Sequence, residues 1–289
     1  EVFPNNYYKI ILFRNDNFYF FLPLQKIKLK LLSLFSFVGS PYLNESNKIT
    51  HNYPNIALLI GDLKKVLTSN NFKSPFYFDN ILEEDKEIFS NLNLYKLKSI
   101  NSNEINLNTD MIYRSNKFLY NLNFKERKYN RQQNDHCLFL YNDEKISKKY
   151  VENFIFGNKD LSPKYKEIIK NNLKLFFFMR KKSLFTKISL LKNSNHKILS
   201  VIIGIEYQNI FYYLLPCYDK FFKKYSFGLN HLQKLSIYLK NKSRNFIIDL
   251  GAGDEDYKKN FQNLNRNIHF YSNSKIVKIY FQFKKILSL

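Results

Sequence analysis

Two short stretches of this 289-residue chain carry residue types that could do chemistry. The first is Asp249-Leu250-Gly251-Ala252-Gly253-Asp254-Glu255-Asp256-Tyr257-Lys258-Lys259. A glycine-bearing turn here delivers two carboxylates, Asp254 and Glu255, just after a short apolar strand. Carboxylates so placed can take a proton from an amine or hold a cationic acceptor. Open α/β sheets commonly bind ligands beyond their strand ends. The same two residues would equally favour the positive N-terminus of a following helix. Lys258 can neutralise a phosphate or carboxylate, or stand exposed on that helix. Asp249 can orient Tyr257 or Lys258, or simply pair with backbone.

The second stretch is Tyr225-Ser226-Phe227-Gly228-Leu229. Ser226, Gly228 and Leu229 open a helix, whose first N–H groups lack intrahelical partners and lie at the positive end of the macrodipole. Gly228 lets a ligand approach the backbone closely. The Ser226 hydroxyl can add a bond, and Lys220, Lys223 and Lys224 make the approach basic. The alternative is an ordinary surface helix with Ser226 as its N-cap. Tyr212, Tyr213 and Tyr218 are candidate proton donors, in a chain whose 22 tyrosines mostly serve packing. Glu206 is a weaker candidate base at a strand end. Cys217 and His231 lack a third residue to orient the imidazole, which argues against a nucleophile pair. No CxxC pair or Cys/His cluster has the spacing of a metal site. The two cysteines, Cys137 and Cys217, permit at most one disulfide.

The elements that must position these residues read as follows. Ser183–Lys192, Lys197–Tyr207 and Ile210–Leu215 form a three-strand antiparallel meander, with Pro216 ending the third strand. A basic aromatic loop, Cys217–Tyr225, leads to a helix over Leu229–Lys240, with Leu229, Leu232, Leu235 and Leu239 at helical spacing. Phe246–Leu250 is a buried strand, Asp254–Phe261 a short helix and Ile268–Tyr271 a further strand. The N-terminal part repeats this order: strands Tyr7–Arg14, Phe18–Leu24 and Leu29–Phe37, a loop over Val38–Tyr53, helix Ile60–Thr68, strand Phe76–Asp79, helix Leu82–Phe89 and strand Leu94–Lys98. Phe76–Asp79 with Glu84-Asp85 aligns without a gap to Phe246–Asp249 with Asp254-Glu255, the mark of an internal duplication. Basic helix Asn116–Tyr129 and helices Lys145–Phe154 and Ser162–Met179 lie between the repeats. His136-Cys137 reads as part of this linker.

The run Asp249–Lys259, the Tyr225–Gly228 turn and Tyr212-Tyr213-Leu214-Leu215-Pro216 resemble the C-terminal domain of CelD-like GNAT acyltransferases, relatives of the FemAB peptidyltransferases. Phe20-Phe21-Leu22-Pro23-Leu24 and Phe37-Val38-Gly39-Ser40 resemble that family's N-terminal repeat. The resemblance implies an α/β (α+β) fold of two tandem GNAT-like repeats, each a mixed, mostly antiparallel sheet flanked by helices. The expected division is an N-terminal repeat over 1–110 with a structural role, a helical linker over 111–182 and the working repeat over 183–289. Phe227 stands where the family has a turn proline, and neither repeat shows the Gln/Arg-x-x-Gly-x-Gly/Ala phosphate loop.

Within that resemblance, the implied activity is transfer of an acyl group from acyl-CoA, acetyl-CoA among its forms, to an amine acceptor such as an amino sugar of envelope or polysaccharide synthesis. Acyl transfer needs a base, a dipole at the oxyanion and an acid for the leaving group. Asp254, Glu255 and Tyr213 are the catalytic candidates. Ser226, Gly228, Leu229 and Lys224 are assigned to the donor, and Asp249, Gly251, Tyr257 and Lys258 to the acceptor. A second reading keeps the fold and takes an aminoacyl group from tRNA. A third is a non-catalytic basic module on nucleic acid or an anionic membrane, using the alternating lysines and aromatics at 174–187 and 275–285.

Composition bounds these readings. Apolar residues make up 45% and aromatics 18%, ample for a packed core. The net charge of +22 fits a polyanionic partner. It also fits nucleotide bias, since Lys far outnumbers Arg and Trp is absent. No apolar run reaches the length of a membrane span, and no signal peptide is visible, so the expected location is the cytoplasm, with peripheral membrane contact allowed. The chain begins at Glu1 rather than Met, which leaves room for a preceding segment.

Overall fold

A computed structural model describes residues 8–14, 17–29, 32–37, 49–68, 75–109, 113, 115–182, 185–243, 245–252, 255–261 and 264–287. The chain forms two compact units, one of 3–101 with 266–289 and one of 102–265. The division differs from the one expected: the C-terminal segment belongs with the N-terminal unit, and the boundaries fall at 101/102 and 265/266.

The first unit opens with β1 (Tyr8–Arg14), β2 (Tyr19–Leu29) and β3 (Leu32–Phe37), an antiparallel meander, with β4 (Thr50–His51) also on β2. Helix α1 (Ile56–Thr68), β5 (Tyr77–Leu82), α2 (Lys86–Ser90) and β6 (Tyr95–Asn106) follow. Period-two alternation in β2 puts Phe20, Leu22 and Leu24 on the core side. They join Phe37, Leu59, Leu63, Phe78, Ile81 and Phe89 in one cluster. A cluster this rich in phenylalanine is held by aromatic pairs worth ~0.5–1.5 kcal/mol each beyond their buried area, among them Phe78 on Phe89 and Phe37 on Phe78.

The second unit continues with α3 (Asn116–Gln133), β7 (Cys137–Leu140), α4 (Lys148–Asn158) and α5 (Pro163–Lys182). Its meander is β8 (Thr186–Asn193), β9 (Ile198–Tyr207) and β10 (Ile210–Tyr218). A 3-10 turn, Lys220–Tyr225, leads to α6 (Phe227–Lys242), β11 (Ile247–Ala252) and α7 (Lys258–Phe261). Strand order here is β6-β11-β10-β9-β8-β7. Pairing is antiparallel throughout except for β10 with β11, which is parallel. Leu232, Leu235 and Leu239 of α6 are fully buried with Ile248, Leu250 and Phe261.

Two readings of the second unit change. His136-Cys137 was placed in a helical linker, yet Cys137 begins β7, which pairs with β8 through Cys137–Asn193 and Leu140–Leu190. Pro216 does not end β10: the strand runs to Tyr218, with Pro216 opposite Ile202. The pairing with β11 has already ended by that point, and a strand edge tolerates a residue without an N–H.

The last two elements, β12 (Leu264–Ser272) and α8 (Lys275–Leu287), return to the first unit, where β12 pairs antiparallel with β5. In mirror fashion, the end of β6 pairs antiparallel with β11 through Asn106–Ile247 and Glu104–Asp249. Each unit is thus finished by a strand from the other half of the sequence. No helix among the described residues is long and apolar enough to cross a membrane.

Candidate active site

Strands β10 and β11 pair only over Ile210–Tyr212 and Ile247–Asp249. Both run on, β10 with β9 as far as Tyr218 and β11 with β6 as far as Ala252, and each shows a register shift at this point. Parted parallel strands leave backbone groups of β10 without a ladder partner on that side. A cleft of about 510 Å³ lies there, lined by Tyr213, Pro216, Cys217 and Tyr218 of β10, by Ser226, Gly228 and Leu229 at the start of α6, and by Lys159, Lys220, Lys223 and Tyr257.

The local sequence explains the α6 end of the cleft. Ser226 sits in the left-handed region at φ +57° and makes no side-chain capping bond. Its carbonyl takes the N–H groups of Leu229 and Asn230, each at 3.0 Å. The Phe227 and Gly228 N–H groups remain as the open donors of the helix. Ser226 is therefore not the ordinary N-cap that its position allowed. Its Oγ instead accepts from Lys125 Nζ at 2.9 Å. Phe227 is fully buried and packs edge-on against Tyr129 of α3, which anchors the turn. A Cβ on Gly228 would come within 3.1 Å of Tyr218, so the cleft wall is built to glycine size.

The cleft brings together eight residues singled out from sequence: Tyr213, Tyr218, Lys220, Lys223, Ser226, Gly228, Leu229 and Tyr257. Burial holds the Tyr213 phenol well above its ordinary pKa, with the nearby Tyr257 adding to the shift. Tyr257 is raised by burial too, with Glu255 contributing. Both phenols therefore stay protonated and can donate hydrogen bonds. Lys224 lies outside the lining, its Nζ 4.9 Å above the Tyr225 ring. Lys220 and Lys223 take the cleft side of the turn instead.

The acidic run forms a separate network. Asp249 accepts from the Gly251 N–H at 2.7 Å and from Ser102 Oγ at 3.5 Å. Gly251 holds φ +72°, a left-handed value that suits glycine. Lys258 is 3% exposed, donates to the Gly251 carbonyl at 3.2 Å and pairs with Glu255 at 2.8 Å. Burial would raise the Glu255 pKa, but the Lys258 hydrogen bond and charge outweigh it and leave it lowered. This network sets the end of β11 where the cleft opens. Asp254 lies outside the described residues.

Sequence reasoning missed Lys159. It follows α4, lines the cleft half-buried, and burial lowers its pKa while Cys217 pulls the other way. Nothing at position 159 marks it; it is placed by Asn158, whose side chain accepts from the Lys220 N–H at 3.0 Å. His231 is sealed in the core between Ser189 and Ser200, with Nε2 at 2.8 Å and Nδ1 at 3.0 Å. Cys217 is a free thiol that burial pushes up to about 11. The two do not form a nucleophile pair. Among the described residues no His/Cys/Asp/Glu group could hold a metal.

No protein-family model and no curated protein sequence matches the chain. Solved structures share its fold. FemX matches with a TM-score of 0.64 at 10% identity, over 95% of this chain and 90% of that one. L-PGS from Bacillus licheniformis matches with a TM-score of 0.58 at 12% identity, over 96% and 88%. The C-terminal domain of a putative lysylphosphatidylglycerol synthetase from Agrobacterium fabrum matches at 0.56 and 8%, over 97% and 88%. The fold is a mixed α/β one, with a mostly antiparallel sheet flanked by helices. At these identities the likeness is one of fold.

Proposed function

We propose that the chain is an acyl- or aminoacyl-transferase working at the β10–β11 cleft. The observation that carries this is the parting of two parallel strands beside an uncapped helix start. An acyl-CoA donor has an extended, amide-bearing arm and a pyrophosphate. The free edge of β10 suits the first, since extended chains pair with strand edges. The Phe227 and Gly228 N–H groups, with Lys159, Lys220 and Lys223 around them, suit the second. Tyr213 and Tyr257, kept protonated, line the cleft and can donate a hydrogen bond to the departing sulfur. The reading leaves Glu255 with Lys258 and takes an amine as acceptor, an amino sugar or similar small molecule.

The second reading keeps the cleft and takes the donor from aminoacyl-tRNA. The shared fold with FemX and with lysylphosphatidylglycerol synthetase domains supports it, as do the three lysines on the cleft.

The deciding experiment is thermal melting with acetyl-CoA, longer acyl-CoAs and free CoA. A ligand bound only by the native state adds about 2.7 kcal/mol at a hundredfold excess over its dissociation constant. An upward shift supports the acyl-CoA donor. No shift at millimolar concentrations overturns it and leaves aminoacyl transfer, assayed directly with charged tRNA. Inactivity with both donors would end the transferase reading.

A further inference from the structure

A second cleft, of about 720 Å³, lies in the same unit and is not used by the chemistry above. It sits at the opposite end of the β8–β10 meander. Thr186, on its wall, pairs with Ile205 at the end of β9, whereas Tyr218 of the first cleft pairs with Ser200 near the beginning of β9. Its walls are the segment before α4, the C-terminal half of α5 and the start of β8.

Three observations bear on what it holds. First, its charge is one-sided: Lys148, Lys174, Arg180, Lys181 and Lys187 line it against the single carboxylate Glu144. The wall is fixed, because Arg180 donates to the Asp143 carbonyl and Lys192 pairs with Asp143 at 2.8 Å. Second, Phe177 and Phe178 line it. Phe178 is 51% exposed, and the Arg180 guanidinium stands 5.8 Å from the Phe177 centroid. Third, Thr186 is 2% exposed, lines the cleft, and its hydroxyl has no hydrogen-bond partner among the described residues. A buried hydroxyl left unbonded is costly, and a turn of the Thr186 side chain into the cleft would let a polar atom of a ligand satisfy it.

We infer that this cleft binds a nucleoside phosphate, with the base stacked on Phe178 and the phosphate held by Lys148 and Lys181. Cations alone would take any anion. Ring faces beside cations are the combination that holds successive bases and phosphates of single strands, and a concave site fits one such unit better than a flat membrane. The unit can be a free nucleotide or the nucleotide of an RNA strand.

The test is calorimetric titration of the whole chain with AMP, adenosine, inorganic phosphate and a short oligoadenylate. AMP should bind more tightly than adenosine or phosphate alone. Phe178→Ala should weaken it by about tenfold or more, and Lys181→Glu and Thr186→Val should each weaken it, with melting temperatures close to the parent's. Gly228→Val, in the other cleft, should leave AMP binding unchanged, which separates this result from failure of the transferase reading. Tighter binding of the oligoadenylate assigns an RNA strand, and equal binding assigns a free nucleotide. The proposal is overturned if phosphate binds as well as AMP, if neither AMP nor oligoadenylate binds at millimolar concentration, or if the three variants bind like the parent. Binding only to phosphatidylcholine–phosphatidylglycerol vesicles would also overturn it.

Discussion

Lys125 of α3 donates through Nζ to the Ser226 hydroxyl at 2.9 Å, joining residues 101 positions apart. A hydroxyl that accepts from a lysine keeps its own proton to donate, so the bond presets Ser226 as a donor at the mouth of the first cleft. Ser226→Gly keeps the left-handed backbone without strain and removes only the hydroxyl. Donor affinity should then fall by roughly 2- to 10-fold, the range of one hydrogen bond, with little change in melting temperature. Lys125→Met should do the same. Ligand-induced melting shifts equal to the parent's in both variants would take Ser226 out of the site.

Gly228 tests the cleft by volume. A valine there would push a branched side chain towards Tyr218, from which even a Cβ stands only 3.1 Å away. Gly228→Val should abolish the ligand-induced shift while the unliganded protein melts within a few degrees of the parent. Retained ligand binding would move the donor site elsewhere.

Gly204 lies opposite Tyr213 in the β9–β10 register. A Cβ on it would fall 2.4 Å from the Phe211 ring and 2.5 Å from the Tyr212 carbonyl. The backbone must move, at a cost of about 1–3 kcal/mol, and it would move at the residue where β10 leaves β11. Gly204→Ala should lower the melting temperature by roughly 2–12 °C and reduce turnover. A variant with parent stability would show that the strands accommodate the methyl.

His231 makes stability depend on pH. Burial, helped by Lys234, lowers its pKa to about 3. The unfolded chain takes up the proton near pH 6.5 and the native one only near 3, so native stability falls as pH drops through that window. The loss at pH 5 is about 2 kcal/mol. Unfolding free energies from urea titrations at pH 7 and pH 5 should differ by this amount in the parent and much less in His231→Gln. An equal difference in both would assign the pH response to other groups.

Much of this site was legible because its signals are local. Leu232, Leu235 and Leu239 announced α6, and Gly251 with Asp249 announced a turn that the structure builds around one N–H bond. The cleft itself was not legible, since it exists through register: nothing in Tyr213 or Asp249 tells where two strands stop pairing. Lys159 was invisible for the same reason, being brought in by Asn158. Lys224 and Lys223 were indistinguishable in sequence, and the 3-10 turn separates them. β7 is four residues long and wholly apolar although its positions alternate between half-buried and exposed, so Cys137–Leu140 shows neither the length nor the alternation that marks a strand.

The exchange of final strands has a consequence for synthesis on the ribosome. Tyr77 of β5 waits for Ser272 of β12, and Phe76 for the Asn273 side chain, 197 residues later. The N-terminal half emerges first but cannot close its sheet until β12 has been made. The later half meanwhile already has β6, its own borrowed strand, in hand. The second unit, with both clefts, can therefore finish folding while the first still exposes the β5 edge. A chain ending before Leu264 would lack β12 and leave the β5 edge unpaired, with the first core missing Tyr271.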